Sequence, residues 1–102
     1  MSVLVYDTFE AALLVYDNRW LTQVDYDQNG QNTFHFEMQP WSYDELHAAY
    51  ISDEGQGITN LREYANAFKR VERLKGLAKR SRDGNWVDKA WQNGQRNREE
   101  EK

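Results

Sequence analysis

The sequence predicts an α+β domain, a small antiparallel sheet covered by helices in the order (β)αββαα, and three observations carry that reading. Hydrophobic spacing switches to a period of two between Trp20 and Met38, on either side of Gln28-Asn29-Gly30. Apolar residues return at helical spacing along a single long stretch, Leu61, Tyr64, Ala65, Phe68, Val71, Leu74 and Ala78. Capping spacings stand before each helical segment: Asp7 with Glu10, Ser42 with Glu45, and Asn60 with Glu63.

The elements follow in order. Ser2 to Tyr6 reads S-V-L-V-Y, β-branched and aromatic enough for a short third strand and short enough to be an extended lead-in. Asp7 or Thr8 then caps a helix over about 8 to 17, with Phe9, Ala12, Leu13 and Tyr16 on its inner face. The echo of Leu4-Val5-Tyr6-Asp7 in Leu14-Val15-Tyr16-Asp17 is far shorter than the repeats that build solenoids.

The next two runs form a β-hairpin. A two-residue turn at Asn29-Gly30 would set Val24 against His35 and mix the two faces. A three-residue loop of Gln28, Asn29 and Gly30, with glycine in the left-handed conformation, instead pairs Val24 with Phe34, Thr22 with Phe36 and Trp20 with Met38. The predicted core face is therefore Trp20, Val24, Phe34, Phe36 and Met38, covered by the first and third helices.

Pro40 ends the hairpin. Ser42 and Glu45 form a capping box, with Trp41 and Leu46 placed for a hydrophobic staple, which predicts a second helix over about 43 to 51 with Leu46, Ala49 and Tyr50 inward. Ser52 to Gly57 breaks it. A third helix follows over about 61 to 80. The single domain is expected to span 1–82, with 83–102 a polar C-terminal extension whose last ten residues are disordered.

Composition bounds the function. At 102 residues the chain has length for one core, and its fourteen aromatics, four of them Trp, are more than a disordered chain carries. No cysteine is present, which removes disulfides, thiolate nucleophiles and Cys-based metal sites. No apolar run approaches the ~20 residues of a membrane span and no leader-like segment opens the chain, so the expected setting is cytoplasmic.

Motifs for catalysis are missing. There is no G-x-S-x-G, Walker or H-E-x-x-H pattern, and the two histidines, His35 on the outer face of the hairpin and His47 beside Asp44 on the second helix, read as ordinary surface residues. A metal site would need them to converge with Asp44 or Glu45, which no helical His pair supports. The sequence thus predicts a protein that is not an enzyme and takes no cofactor or metal.

Charge suggests binding. Residues 1–60 hold ten acids against one base, Arg19, a net of −9, whereas 61–102 hold twelve bases against seven acids, a net of +5. The acidic half offers Asp25, Asp27, Glu37, Asp44 and Glu45 as a face for another protein, against the plainer reading that scattered acids serve solubility. The basic run Arg62, Lys69, Arg70, Arg73, Lys75, Lys79, Arg80 and Arg82 offers an alternative, nucleic-acid binding through Arg70, Arg73, Lys79, Arg80 and Arg82. Its plainer counterpart is a solvated helix face whose charges pair internally. Trp86 and Trp91 stand in a polar segment and serve either an interface or the core of their own domain. The chain is expected as a monomer or homodimer.

Thr8-Phe9-Glu10-Ala11-Ala12-Leu13-Leu14, then Phe34-His35-Phe36, then Tyr50 leading into the helix of Leu61 to Leu77, resemble a group of small uncharacterised domains of phages, prophages and bacterial mobile elements over residues 8–78. The resemblance brings no catalytic residues. It implies a phage-type accessory protein, a setting in which small acidic proteins often inhibit host nucleic-acid machinery, CRISPR effectors included, by occupying a basic groove.

Overall fold

The computed structural model describes residues 2–46, 48 and 60–100, with side chains described as far as 94. Its elements are β1 (Ser2–Val5), α1 (Thr8–Tyr16), β2 (Trp20–Tyr26), β3 (Asn32–Glu37), α2 (Pro40–Leu46), α3 (Leu61–Arg80), β4 (Asn85–Val87) and α4 (Lys89–Glu100). The fold is α+β. Four antiparallel strands run in the order β1-β3-β2-β4, and α1 and α3 pack on one face of the sheet.

The hairpin register follows from its loop. Gly30 takes a positive φ of 82°, Asp27 N–H donates to the Gln31 carbonyl at 3.0 Å, and Asp27 Oδ1 accepts from the amides of Asn29 and Gln31 at 2.9 Å each. These bonds close the Gln28-Asn29-Gly30 loop and set Val24 opposite Phe34. Beyond Val24 the register changes. Gln23 faces His35 and Leu21 faces Phe36, so Thr22 is an extra residue, a β-bulge.

That bulge corrects the predicted core face. Strict alternation would bury Trp20 and expose Leu21; instead Leu21 and Thr22 are buried, and Trp20, opposite Glu37 rather than Met38, is 44% exposed. The bulged residue satisfies its own polar atoms, because the Thr22 hydroxyl donates to the His35 carbonyl at 3.1 Å and the Thr22 carbonyl accepts from Asp88 N–H at 2.8 Å. Val24, Phe34, Phe36 and Met38 are buried as expected.

Helix α1 begins where the sequence places it, with Asp7 accepting from Glu10 N–H at 3.0 Å. Its buried residues are Ala11, Ala12 and Leu14, while Phe9 is exposed with its ring 5.3 Å from that of Phe68. The segment Ala11 to Tyr16 is apolar nearly all round, so spacing alone did not choose the inner face; the small Ala11-Ala12 pair lets α1 approach its neighbours closely. Tyr16 stacks edge-on against Tyr64, and Lys75 Nζ donates to the Thr8 hydroxyl at 3.2 Å, contacts that run α1 antiparallel to α3.

The second helix differs from expectation at its start. Pro40 is its first residue, and the Gln39 carbonyl accepts from Ser42 N–H and Tyr43 N–H. Proline's fixed φ and absent N–H suit the first helical position, which leaves Ser42 buried inside the helix and Trp41 63% exposed instead of forming a cap and staple. Beyond Leu46 only Ala48, exposed, is described before residue 60; the predicted positions of Ala49 and Tyr50 lie outside the described residues, as does His47.

Helix α3 spans the predicted 61 to 80, with Asn60 accepting from Glu63 N–H at 3.1 Å. Ala67, Val71, Leu74 and Ala78 are buried, whereas Leu61 and Ala65, expected in the stripe, face solvent. Asn85–Val87, in the stretch expected to be a polar extension, instead pairs with β2 as a fourth strand. Trp86 lies opposite Val24 and packs against the core, so this tryptophan serves its own domain. Asp88 then caps α4 through Oδ1, which accepts from Ala90 N–H and Trp91 N–H. No described helix is long and apolar enough to cross a membrane.

Candidate functional site: the open sheet face and the outer ridge of α3

Because side chains alternate along strands, the residues between the buried ones form the opposite face of the sheet. The strand pairing aligns Leu4, His35, Gln23 and Val87 in one row across all four strands. Asp25 lies in a neighbouring row between Thr33 and Asn85, and Glu37 in another between Ser2 and Trp20. Leu4 is 45% exposed here and, thanks to the bulge, Trp20 is on the same side, in the next row and with β3 between their strands.

The polar centre of this face is a small network. His35 Nε2 lies 2.7 Å from Asp25 Oδ2, and Gln23 Nε2 donates to Asp25 Oδ1 at 2.7 Å. His35 and Asp25 are diagonal cross-strand neighbours, the separation at which long side chains on one sheet face meet. His35 is therefore more than an isolated surface histidine. A His-Asp pair invites a catalytic reading, but the residues aligned with His35 on the flanking strands are Leu4 and Gln23, and neither is a nucleophile.

The five acids of the predicted acidic face do not form one patch. Asp25 and Glu37 share the open face, Asp27 organises the hairpin loop, and Asp44 and Glu45 are exposed on α2, which contacts the edge strand β1. Several acids of the first half have structural work: Asp7 caps α1, Asp17 pairs with Arg19 at 3.1 Å, and Glu10 accepts from the Tyr43 hydroxyl. Burial first, and then that hydrogen bond and the charges of Glu10 and Asp44, push the Tyr43 phenol up to about 12. Three of the ten acids of the first half, Asp7, Glu10 and Asp17, thus hold the fold as well as carrying charge.

The basic run divides as well. Lys75 is tied to Thr8 and Glu72, and the Lys79 ammonium sits 5.9 Å from the centre of the Tyr26 ring. Arg70, Arg73, Arg80 and Arg82 are exposed, and none forms an ion pair with a described residue. Arg82 lies in the turn beyond the helix end. Arg62 and Lys69, outside the five bases predicted to act together, are exposed on the same helix. Trp91 on α4 is half-buried, with its indole Nε1 enclosed and making no hydrogen bond among the described residues.

No family model, curated protein or solved structure matches the chain.

Proposed function

We propose that this protein works by binding rather than by catalysis, as a small module whose open sheet face is covered by a protein partner. The observation that carries the reading is Trp20 at 44% and Leu4 at 45% exposure on a sheet face that also presents Asp25, His35 and Glu37. Tryptophan anchors surrounded by polar groups are the usual energetic centres of protein interfaces. Reaching this face costs no rearrangement, because the bulge at Thr22 already holds Trp20 outward. With Glu37 opposite the anchor and Asp25 two rows along the same face, the partner chemistry that fits is a basic surface, such as the groove of a nucleic-acid-handling complex. An inhibitor of phage or mobile-element type, as the resemblance of residues 8–78 implies, would act in this way.

The test is affinity capture with the full chain. W20S combined with L4S should lose the captured partner while thermal melting shows the variant still folded; undiminished recovery by a folded variant would overturn this assignment of the surface.

A further inference from the structure

We propose that the outer ridge of α3 is a second, independent surface that binds the phosphate backbone of nucleic acid without sequence preference. At 3.6 residues per turn, Arg62, Lys69, Arg73 and Arg80 fall within a sector of about 40° on the side of α3 away from the buried row Ala67, Val71, Leu74 and Ala78. They mark a line about 27 Å long at 1.5 Å per residue. Arg70 flanks it. All five are exposed, and none is in an ion pair with a described residue. An unneutralised row of this kind is complementary to a regularly spaced polyanion.

Two shallow grooves adjoin the ridge. One is lined by Asn66, Lys69, Arg70 and Arg73, and the other shares Asn66 and Arg70 with Tyr16, Asn18 and the carboxylate of Glu63. The amide, ammonium and guanidinium groups of the first suit phosphate and sugar oxygens. A lipid surface fits less well, because the position between Arg73 and Arg80 is Gly76, and the exposed leucines of α3, Leu61 and Leu77, stand on opposite sides of the ridge rather than together along it.

The net charge of −4 does not defeat this surface. Asp25 and Glu37 lie across the sheet from α3, so a helix about 10–12 Å thick and the sheet itself separate them from the ridge. That exceeds the ~8 Å Debye length, beyond which solvent-exposed charges are largely screened from one another at physiological salt. The acid nearest in sequence to the ridge's centre, Glu72, is already engaged by Lys75 at 3.4 Å.

The experiment is fluorescence anisotropy of the full chain with a labelled mixed-sequence duplex across a salt series. Five phosphate contacts predict a slope of log K on log salt of roughly −4 to −5. Lys69→Gln with Arg73→Gln should make the slope shallower by about 2, whereas Lys75→Gln, off the ridge, should leave it as in the parent. Absence of salt-dependent binding, or a slope unchanged in a folded double variant, would overturn the proposal. So would equal, ridge-dependent binding of polyglutamate, which would make the partner an acidic protein instead.

Discussion

A Cβ added to Gly84 would stand 2.9 Å from the main-chain carbonyl oxygen of Tyr26. This close approach joins the end of α3 to the sheet, since the Gly84 carbonyl accepts from Tyr26 N–H at 2.7 Å and β4 begins at the next residue. Gly84 also has a φ of 69°, a conformation that L side chains rarely adopt. One glycine therefore decides whether the fourth strand, and Trp86 with it, can dock.

Gly84→Ala should destabilise the protein by about 1–3 kcal/mol, the range for a non-glycine residue held in the left-handed region, and should raise the solvent exposure of Trp86. Gly76→Ala is its counterpart. That glycine is inside α3, and the nearest atoms an added Cβ would meet are those of the Arg80 guanidinium, at 3.8 Å. Removing the helix-interior glycine should stabilise by about 0.5–1 kcal/mol. Urea denaturation of both variants checks the pair; destabilisation of equal size in each would mean that the approach to Tyr26 is not what constrains position 84.

The bulge makes opposite claims about two neighbours. Leu21 is buried against the core, so Leu21→Ala should cost about 2–5 kcal/mol. Trp20→Ala, although it removes a far larger side chain, should cost less than about 1.5 kcal/mol because that side chain is half open to solvent. Phe36→Ala, at a position with no exposure, should cost about 3–5 kcal/mol and calibrates the scale. If Trp20→Ala proved as damaging as Phe36→Ala, the strand would be paired without the bulge.

The same bulge explains where sequence reading stops. Gly30 and the alternation around it specify the loop and the Val24–Phe34 pair, and Asn60 with the stripe around Val71 specifies α3, because local chemistry and hydrophobic period agree there. Period-two reasoning cannot see an inserted residue, although Leu21, a large apolar side chain left on the polar face, was a hint. Asn85–Val87 is too short for periodicity to register, and its cues were Gly84 before it and Asp88 as a cap after it. Of the candidate surfaces, the helical line of bases was legible once α3 was placed. The open face was not, because Trp20 reaches it only through the bulge and Asp25 meets His35 only across the strand pairing.

Tyr43 gives a prediction in pH. Its phenol titrates near 10 in an unfolded chain and is pushed up to about 12 in the fold, by burial first and then by Glu10 and Asp44. A group whose folded pKa is raised contributes stability that is fully present below pH 10 and is lost as pH rises through about 12, because in that window the unfolded chain holds fewer protons than the folded one. Tyr64, raised by burial and by Asp7, acts in the same direction. Tyr43→Phe should therefore flatten, without abolishing, the alkaline fall in stability between pH 10 and 12. At pH 7 the variant should be about 0.5–1.5 kcal/mol less stable, for loss of the hydrogen bond to Glu10. Urea titrations across that window, read beside tyrosinate absorbance of the native protein, provide the check: an unchanged alkaline slope in Tyr43→Phe would show that this phenol is not held protonated by the fold.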